Sequence, residues 1–559
     1  MRRLGSLIAW LILFGYLAAF LLYPISYVFV RAFTVGGKPS LEFFKIMFSD
    51  PLLLESVANS FYIAGLSTII TIALGYTIAL LLSRCEFPLR GFFQAALLIP
   101  FVVPPFVGAI GMLRLFARYG AVNTLLMQLG LISRPINWFG NRLLGIVVME
   151  VLHLYPIAYL NIAAALANID PTLEESAETL GIRGLRKFIA ITFPLSLPGV
   201  AAAAAIVFTW SFTDLGTPLM FNFYKVVSVQ IFSLSQQIYA NPMGYALTVF
   251  VLLLTSLVFI AIKRYVAMRS YEMMGRGHVS ARLTRLRGPL AAAAVAYLSL
   301  ILVLAALPHI SIVLLSISEE WYMQVLPERI TLNNYLMVFE NPVTSTAVRN
   351  SLFYSAIATA LAAVLGVSIA YVSGRSDLPE AMRDLLDVVA MWPLAIPGIA
   401  IAFGYLSSFA DLELLSPYRD PTILLIIAYA TRRLPYMVRA VYAGLQQVHR
   451  ALEEVALSLG ARPLRVIRDV TAPLIAANIL AGGVLVFSEC MIEVSTSLML
   501  ALRERYFPMT KAIYEVSTHL TMGQELASAM GVVLMVVVAV SMVLASRIMG
   551  RRMGELFRA

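Results

Sequence analysis

Runs of roughly 20 apolar residues recur along the whole length of this chain, and no other feature constrains its fold as much. One such run crosses a hydrocarbon core about 30 Å thick as a single helix, and in lipid only helices and closed barrels satisfy their own backbone amides. The intervals 7–30, 57–82, 92–113, 143–166, 195–222 and 243–262, then 290–317, 349–373, 385–409, 421–445, 474–501 and 524–546, each read as a span. The expectation is an all-α, polytopic membrane protein with about 12 transmembrane helices. Composition agrees, since 60% of the 559 residues are hydrophobic and 13% are charged, whereas soluble domains carry about 25% charged residues. The first run lacks a small-residue cleavage site and exceeds a signal h-region in length, so it reads as a retained span.

The formal charge of +10 sits in particular inter-span segments, above all 263–289, where Lys263, Arg264, Arg269, Arg276, Arg282, Arg285 and Arg287 face a single acid, Glu272. Basic loops of this kind are held on the cytoplasmic side, which excludes nucleic acid as the partner the charge implies. The same rule places both termini in the cytoplasm, given Arg2, Arg3 and the basic tail SRIMGRRMGELFRA. Cys85 and Cys490 form no metal or disulfide framework. His153 and His519 are not at a metal-ligand spacing.

The chain is one unit written twice. NSFYIAGLSTIITIALGYTIALLLSR matches NSLFYSAIATALAAVLGVSIAYVSGR, setting Asn59, Gly75 and Arg84 on Asn350, Gly366 and Arg375. PFVVPPFVGAIG matches PLAIPGIAIAFG, with Pro100, Pro104 and Gly111 on Pro393, Pro397 and Gly404; two prolines four apart predict a kink in each of these spans. Between 166–194 and 445–473, twelve of 29 positions are identical at a constant offset of 279. The domains read as 1–262, a basic cytoplasmic linker 263–289, and 290–559. Six spans per half give the two repeats parallel orientation. Gly111 to Pro156 spans 45 positions and Gly404 to Pro435 only 31, so the first half carries 14 extra residues in an outward loop.

The most informative repeat is polar. In LEESAETLGIRGLRKFIAITFP, Asp170 is placed to cap a helix beginning at Pro171. Leu173, Ala177 and Leu180 then share a face, and Gly181 ends the helix where a left-handed backbone is cheap. The second copy, LEEVALSLGARPLRVIRDVTAP, presents Leu452, Ala456 and Leu459 and stops at Gly460. Each helix is too small for a domain and is the right size to plug into a groove on another protein.

The pattern Glu-x-Ala-x-x-x-Gly with a proline thirteen residues later reads Glu175, Ala177, Gly181, Pro194 and again Glu454, Ala456, Gly460, Pro473. It resembles the cytoplasmic "EAA" loop of permeases of binding-protein-dependent ABC importers, and the resemblance covers essentially the whole chain as two fused permease domains. It implies that Leu173, Glu175, Ala177, Gly181, Leu452, Glu454, Ala456 and Gly460 form coupling helices docking on two copies of an ABC ATPase subunit. It also implies an extracytoplasmic substrate-binding protein as partner and the inner (cytoplasmic) membrane as location. No Gly-x-x-x-x-Gly-Lys-Ser/Thr occurs, and TVGGKP is the nearest fragment. ATP is therefore expected in the partner subunit, with no cofactor and no catalytic residue in this chain.

Acids inside spans are costly and mark paths or partners. Asp214 in FTWSFTDLGTPLMF and Glu493 in VFSECMIEVSTSLML align at offset 279, and Glu489 stands where the first half has Trp210. With a helix start near Pro198, Asp214 lies about 24 Å along it. These three acids read either as translocation-path residues or as interhelix hydrogen-bonding groups. Fused permeases with Asp-x-Gly-Thr after the first loop and an acid at the matching second site are most similar to the ferric-iron group, and hard Fe(III) favours oxygen ligands. The second half reads MIEVSTSL where Lys-Glu-Leu-Pro is expected of iron permeases, leaving thiamine, polyamine and phosphonate open as substrates. A self-sufficient secondary transporter of the major-facilitator type shares the six-plus-six architecture but has no use for a docking helix in both halves.

Overall fold

The computed structural model describes residues 2–102, 104–140, 142–238, 241–268, 283–518 and 523–549. Most of the basic linker, His519 and the C-terminal tail lie outside the described residues. The fold is all-α. Among the described residues, strand pairing is limited to two-residue pieces: Thr34–Val35 with Lys38–Pro39, and Cys85–Glu86 parallel to Thr284–Arg285. The latter ties the end of the basic linker to the end of helix Pro51–Arg84.

Among the described residues, eight helices are long and apolar enough to cross a membrane, and two bent pairs bring the number to 10. The other two expected spans depart from a plain apolar helix for identifiable reasons. Around 92–113 the chain forms Arg90–Ala96, a tight turn Ile99–Val102 and then Pro105–Phe116, because Pro100 and Pro104 supply no amide hydrogen to a continuing ladder. Helix Thr422–Gln447 is continuous and about 39 Å long, but it carries Arg432, Arg433 and Arg439. At the equivalent break in the second half, Glu380–Leu394 and Gly398–Ser408 meet at 103° across Pro397. A second bend of 70° separates Ile467–Leu474 from Ala476–Met491.

Packing groups the chain into two compact units that do not follow the two sequence repeats. One unit holds 55–227 and 254–332. Its core is built by Tyr76, Ala79, Tyr155, Ala158, Ile162, Leu298 and Ile301. Here Gly75 lets helices Pro51–Arg84 and Leu143–Ala167 touch, since a Cβ on it would stand 2.6 Å from Ala158 Cβ and 2.8 Å from the Tyr159 amide. The helix Pro289–Ser316 belongs to this unit and lies on Pro105–Phe116, with Gly111 against Ser311 and Ile312. The other unit holds 1–54, 228–253 and 333–556. In it Gly366 faces Met437 on Thr422–Gln447, and Gly404 lies 3.2 Å, from its would-be Cβ, to Pro24 of the first span. Each repeat's opening span thus packs on the third span of the other repeat.

Candidate functional site

The first helix expected to dock, Pro171–Thr179, is built as its caps dictate. Asp170 accepts from the Thr172 amide at 2.9 Å and from its hydroxyl at 2.8 Å, and these two bonds hold the Asp170 carboxyl below its ordinary range. Gly181 adopts φ +82°, and the Ile182 amide returns to the Ala177 carbonyl at 2.9 Å, closing the helix. The second, Arg450–Ser458, uses His449 as its cap through Nδ1 (3.3 Å to the Ala451 amide) and ends alike, with Gly460 at φ +88° and Ala461 bonded to the Ala456 carbonyl.

What orients each helix is an acid that sequence reasoning left without a role. Glu174 Oε2 lies 3.3 Å from Arg84, and its Oε1 accepts from Thr192 Oγ1 at 2.9 Å. Glu453 repeats this with Arg375 at 4.0 Å and Thr471 at 2.9 Å. Glu174 and Ala177 are three residues apart on one face, so the anchor turns Ala177 inward, leaving it 3% exposed. Ala177 therefore does not share an outer face with Leu173 and Leu180 as expected, and Ala456 is half-buried. The outward apolar positions are Leu173 and Leu180 (79% exposed) in the first copy, and Leu452, Val455 and Leu459 (84% exposed) in the second. Glu175 and Glu454 are exposed beside them. Lys187, bonded to Glu178 at 2.5 Å, holds that carboxyl below its usual range.

The membrane acids sit at equivalent breaks. Helix Phe193–Thr213 stops at Asp214, whose oxygens accept from the amides of Gly216 (3.2 Å) and Thr217 (2.9 Å), capping the short helix Gly216–Met220. Glu493 follows helix Ala476–Met491 and accepts from the amide of Thr496 (3.3 Å) and its hydroxyl (3.2 Å), the residue at Thr217's repeat position. The electrostatics of the two sites then diverge. Glu493 pairs with Arg432 and, at 2.8 Å, with Arg433, while Glu489 pairs with Arg433 at 3.0 Å. Gly398 makes room for this cluster, because any Cβ there would collide with the Arg432 guanidinium. In the first half, offset 279 puts His153 and Leu154 at the positions of these arginines. Asp214 there neighbours a second acid, Glu150, which is 2% exposed and accepts from Ser211 Oγ at 3.0 Å.

Glu150, Arg432 and Arg433 were all detectable as charges inside expected spans, and a charge at that depth implies a partner. Glu174 and Thr192 were detectable as identical repeat positions. Among the described residues no three His, Cys, Asp or Glu side chains gather as a metal site, and both cysteines are free.

Two segments, 71–270 and 292–555, match the family described as binding-protein-dependent transport system inner membrane component. A ferric transport system permease protein FbpB of Actinobacillus pleuropneumoniae is 28% identical over 89% of this chain and 71% of its own length. A putative ferric transport system permease protein of Haemophilus influenzae is 27% identical over 86% and 76% respectively. A spermidine/putrescine transport system permease protein PotB of the same organism is 27% identical over 35% of this chain and 70% of its own.

Proposed function

Because this chain belongs to the inner membrane components of binding-protein-dependent transport systems, in two copies on one polypeptide, we propose how its parts share the work of import. It is the multi-pass permease subunit of an ABC importer. Helices Pro171–Thr179 and Arg450–Ser458 each seat one copy of an ABC ATPase subunit, with Leu173, Leu180, Leu452, Val455 and Leu459 entering the groove and Glu175 and Glu454 at its rim. ATP binds in those partners, and this chain holds no cofactor. The docking helices, the linker 263–289 and both termini face the cytoplasm, and an extracytoplasmic binding protein delivers substrate from the other side of the inner membrane. The observation that carries this reading is the docking helix built twice, capped and ended alike, with large apolar side chains left open to solvent.

The substrate is ferric iron. Relatives named for ferric transport align with most of this chain, and the fifth span of each half carries an acid at the equivalent repeat position. Of the three acids read from the sequence, Glu489 and Glu493 are neutralised by Arg432 and Arg433. Attraction for a cation therefore falls on Asp214, whose oxygens, with those of its neighbour Glu150, suit hard Fe(III). A polyamine is the second reading, supported by the spermidine/putrescine relative; thiamine fits the same acids, and phosphonate, an anion, fits them least. Proteoliposomes holding this chain, its ATPase and its binding protein provide the test. ATP-dependent accumulation of labelled iron, competed by neither spermidine nor thiamine, is expected. Accumulation driven by an ion gradient without the ATPase refutes the assignment, and polyamine uptake without iron uptake transfers it to the second reading.

A further inference from the structure

We propose that Glu174 and Glu453 are coupling latches, positioning residues through which a docking helix pulls on several membrane helices at once. The inference rests on the docking role assigned above. Each carboxylate immediately precedes the motif glutamate but turns away from the docking face. The Glu174 side chain is 13% exposed and that of Glu453 is 8% exposed, whereas Glu175 and Glu454 are open to solvent.

One carboxylate joins separate elements. Through Arg84 it reaches the last turn of helix Pro51–Arg84, and Arg84 in turn donates to the Leu166 carbonyl at the end of Leu143–Ala167 at 3.0 Å. Through Thr192 it reaches the start of the helix that ends at Asp214. The second copy repeats every link: Arg375 ends helix Pro342–Arg375 and donates to the carbonyls of Leu445 and Val448, both at 2.6 Å, and Thr471 stands before Ala476–Met491. Arg84 and Arg375, Glu174 and Glu453, Thr192 and Thr471, Leu166 and Leu445 are all identical repeat pairs.

The threonines mark a further shared feature. Phe188–Thr192 and Ile467–Thr471, equivalent to the residue, are each a single wide turn with i→i+5 hydrogen bonding. A wide turn holds one residue more than the α-helix needs, and such turns concentrate at functional positions. Releasing that residue rotates the helix beyond it by roughly 100° for each position of register. The hydroxyl at the end of the turn is bonded to the docking helix, so a shift of that helix acts on the turn directly. In the first half the helix so controlled ends at Asp214, beside Glu150.

A pair that merely stabilised the loop would change assembly or melting and leave the ratio of transport to hydrolysis intact. The reconstituted importer, with its ATPase subunits and binding protein, separates the two. Four chains are compared: unsubstituted, E174Q/E453Q, T192V/T471V and T192S/T471S. The valine variant keeps the volume and loses the hydroxyl; the serine variant keeps the hydroxyl. Expected are ATPase subunits copurifying at the unsubstituted ratio in all four, and uptake per ATP hydrolysed falling about tenfold in the valine and glutamine variants, the scale of one charge-assisted hydrogen bond. The serine variant is expected within about twofold of the unsubstituted chain, because the bond it keeps is the one that matters. Unaltered uptake per ATP in the valine variant, with normal assembly, overturns the latch alone. Loss of ATPase copurification in the valine variant, restored by serine, reassigns the residues to loop stability and overturns it as well. Failure of the unsubstituted chain to retain ATPase subunits overturns the docking reading and the latch together.

Discussion

The two glycines at the same repeat position, Gly75 and Gly366, should respond differently to the same added methyl group. At Gly75 the new Cβ would lie 2.6 Å from Ala158 Cβ, 2.8 Å from the Tyr159 nitrogen and 3.0 Å from the Ala158 carbonyl carbon. Favourable contact needs about 3.5–4.0 Å, so the helices must part by about 1 Å, and two of the three obstructing atoms are backbone. Overpacking of this kind costs up to about 3 kcal/mol, and alanine returns about 1 kcal/mol in helix propensity. The net expectation for Gly75→Ala is a loss of about 2 kcal/mol, by that subtraction. At Gly366 the nearest atom, Cγ of Met437, can swing into another rotamer, but Cβ of Met437 at 2.9 Å stays fixed on its helix, and the nearest backbone atom, the Val438 nitrogen, is 3.3 Å away. One fixed side-chain atom obstructs there in place of one side-chain and two backbone atoms, so the net loss is expected at about 1 kcal/mol. Thermal unfolding of the purified protein in detergent, at one scan rate because such proteins unfold irreversibly, should show a midpoint about 2 °C lower for Gly75→Ala and a smaller fall for Gly366→Ala. Adding Ala158→Gly removes the nearest obstruction and should return part of the loss as a favourable coupling in a double-mutant cycle. Equal midpoints for the two alanine variants would refute the claim that helix approach, and not backbone freedom, requires glycine there.

Other expectations follow from the acids, the insert and the first cap. Glu493→Gln takes the carboxylate from buried Arg432 and leaves Arg433 with Glu489 alone, and should destabilise by about 3–5 kcal/mol, while Asp214→Asn keeps a capping acceptor, leaving thermal stability within about 0.5 kcal/mol but lowering uptake; equal melting of the two variants contradicts this. Asn123 is fully buried and ties the 14-residue insert together through bonds to Ala117, Arg118, Ile136 and Trp138. Asn123→Ala should expose 117–138 to limited proteolysis, and an unchanged digestion pattern counts against that role. Because Asp170's carboxyl lies below its unfolded value, its capping contribution is fully present above the unfolded pKa and is lost as pH falls through the folded one. Hydrogen exchange at Leu173 should therefore accelerate on acidification in the unsubstituted chain and become less pH-dependent, beyond the intrinsic chemistry, in Asp170→Ala.

Local chemistry was readable from the sequence, and pairing between distant helices was not. Asp170, Pro171 and Gly181 state the ends of a helix within twelve residues, and the structure puts those ends where the sequence implies. The spacing of Pro393 and Pro397 signals a kink, although nothing in the spacing gives an angle of 103°. Glu489 and Glu493, four apart, declare a common face, and Arg432 and Arg433 declare another. That the two faces meet depends on how two helices some sixty residues apart cross, which no local pattern encodes. The orientation of Ala177 was missed for a related reason: its exposure is decided by Arg84, more than ninety positions away, acting through Glu174.

The crossed packing of the opening spans has a consequence for synthesis. Pro24 rests against Gly404, 380 positions downstream, and at about 5–20 residues per second the chain needs roughly 20–75 s to make that partner after Pro24 leaves the ribosome. The first helix inserted is among the last to be seated. Meanwhile Ser311 closes onto Gly111 as soon as the seventh span enters the membrane, so the unit containing 55–227 is completed by a segment encoded in the second repeat. A ribosome that stalls inside the linker therefore leaves no finished half behind: it leaves one helix without its seat and one unit without its lid. Fusion of the two repeats keeps both debts on one messenger, so neither half accumulates in the bilayer as an orphan awaiting separate translation of the other.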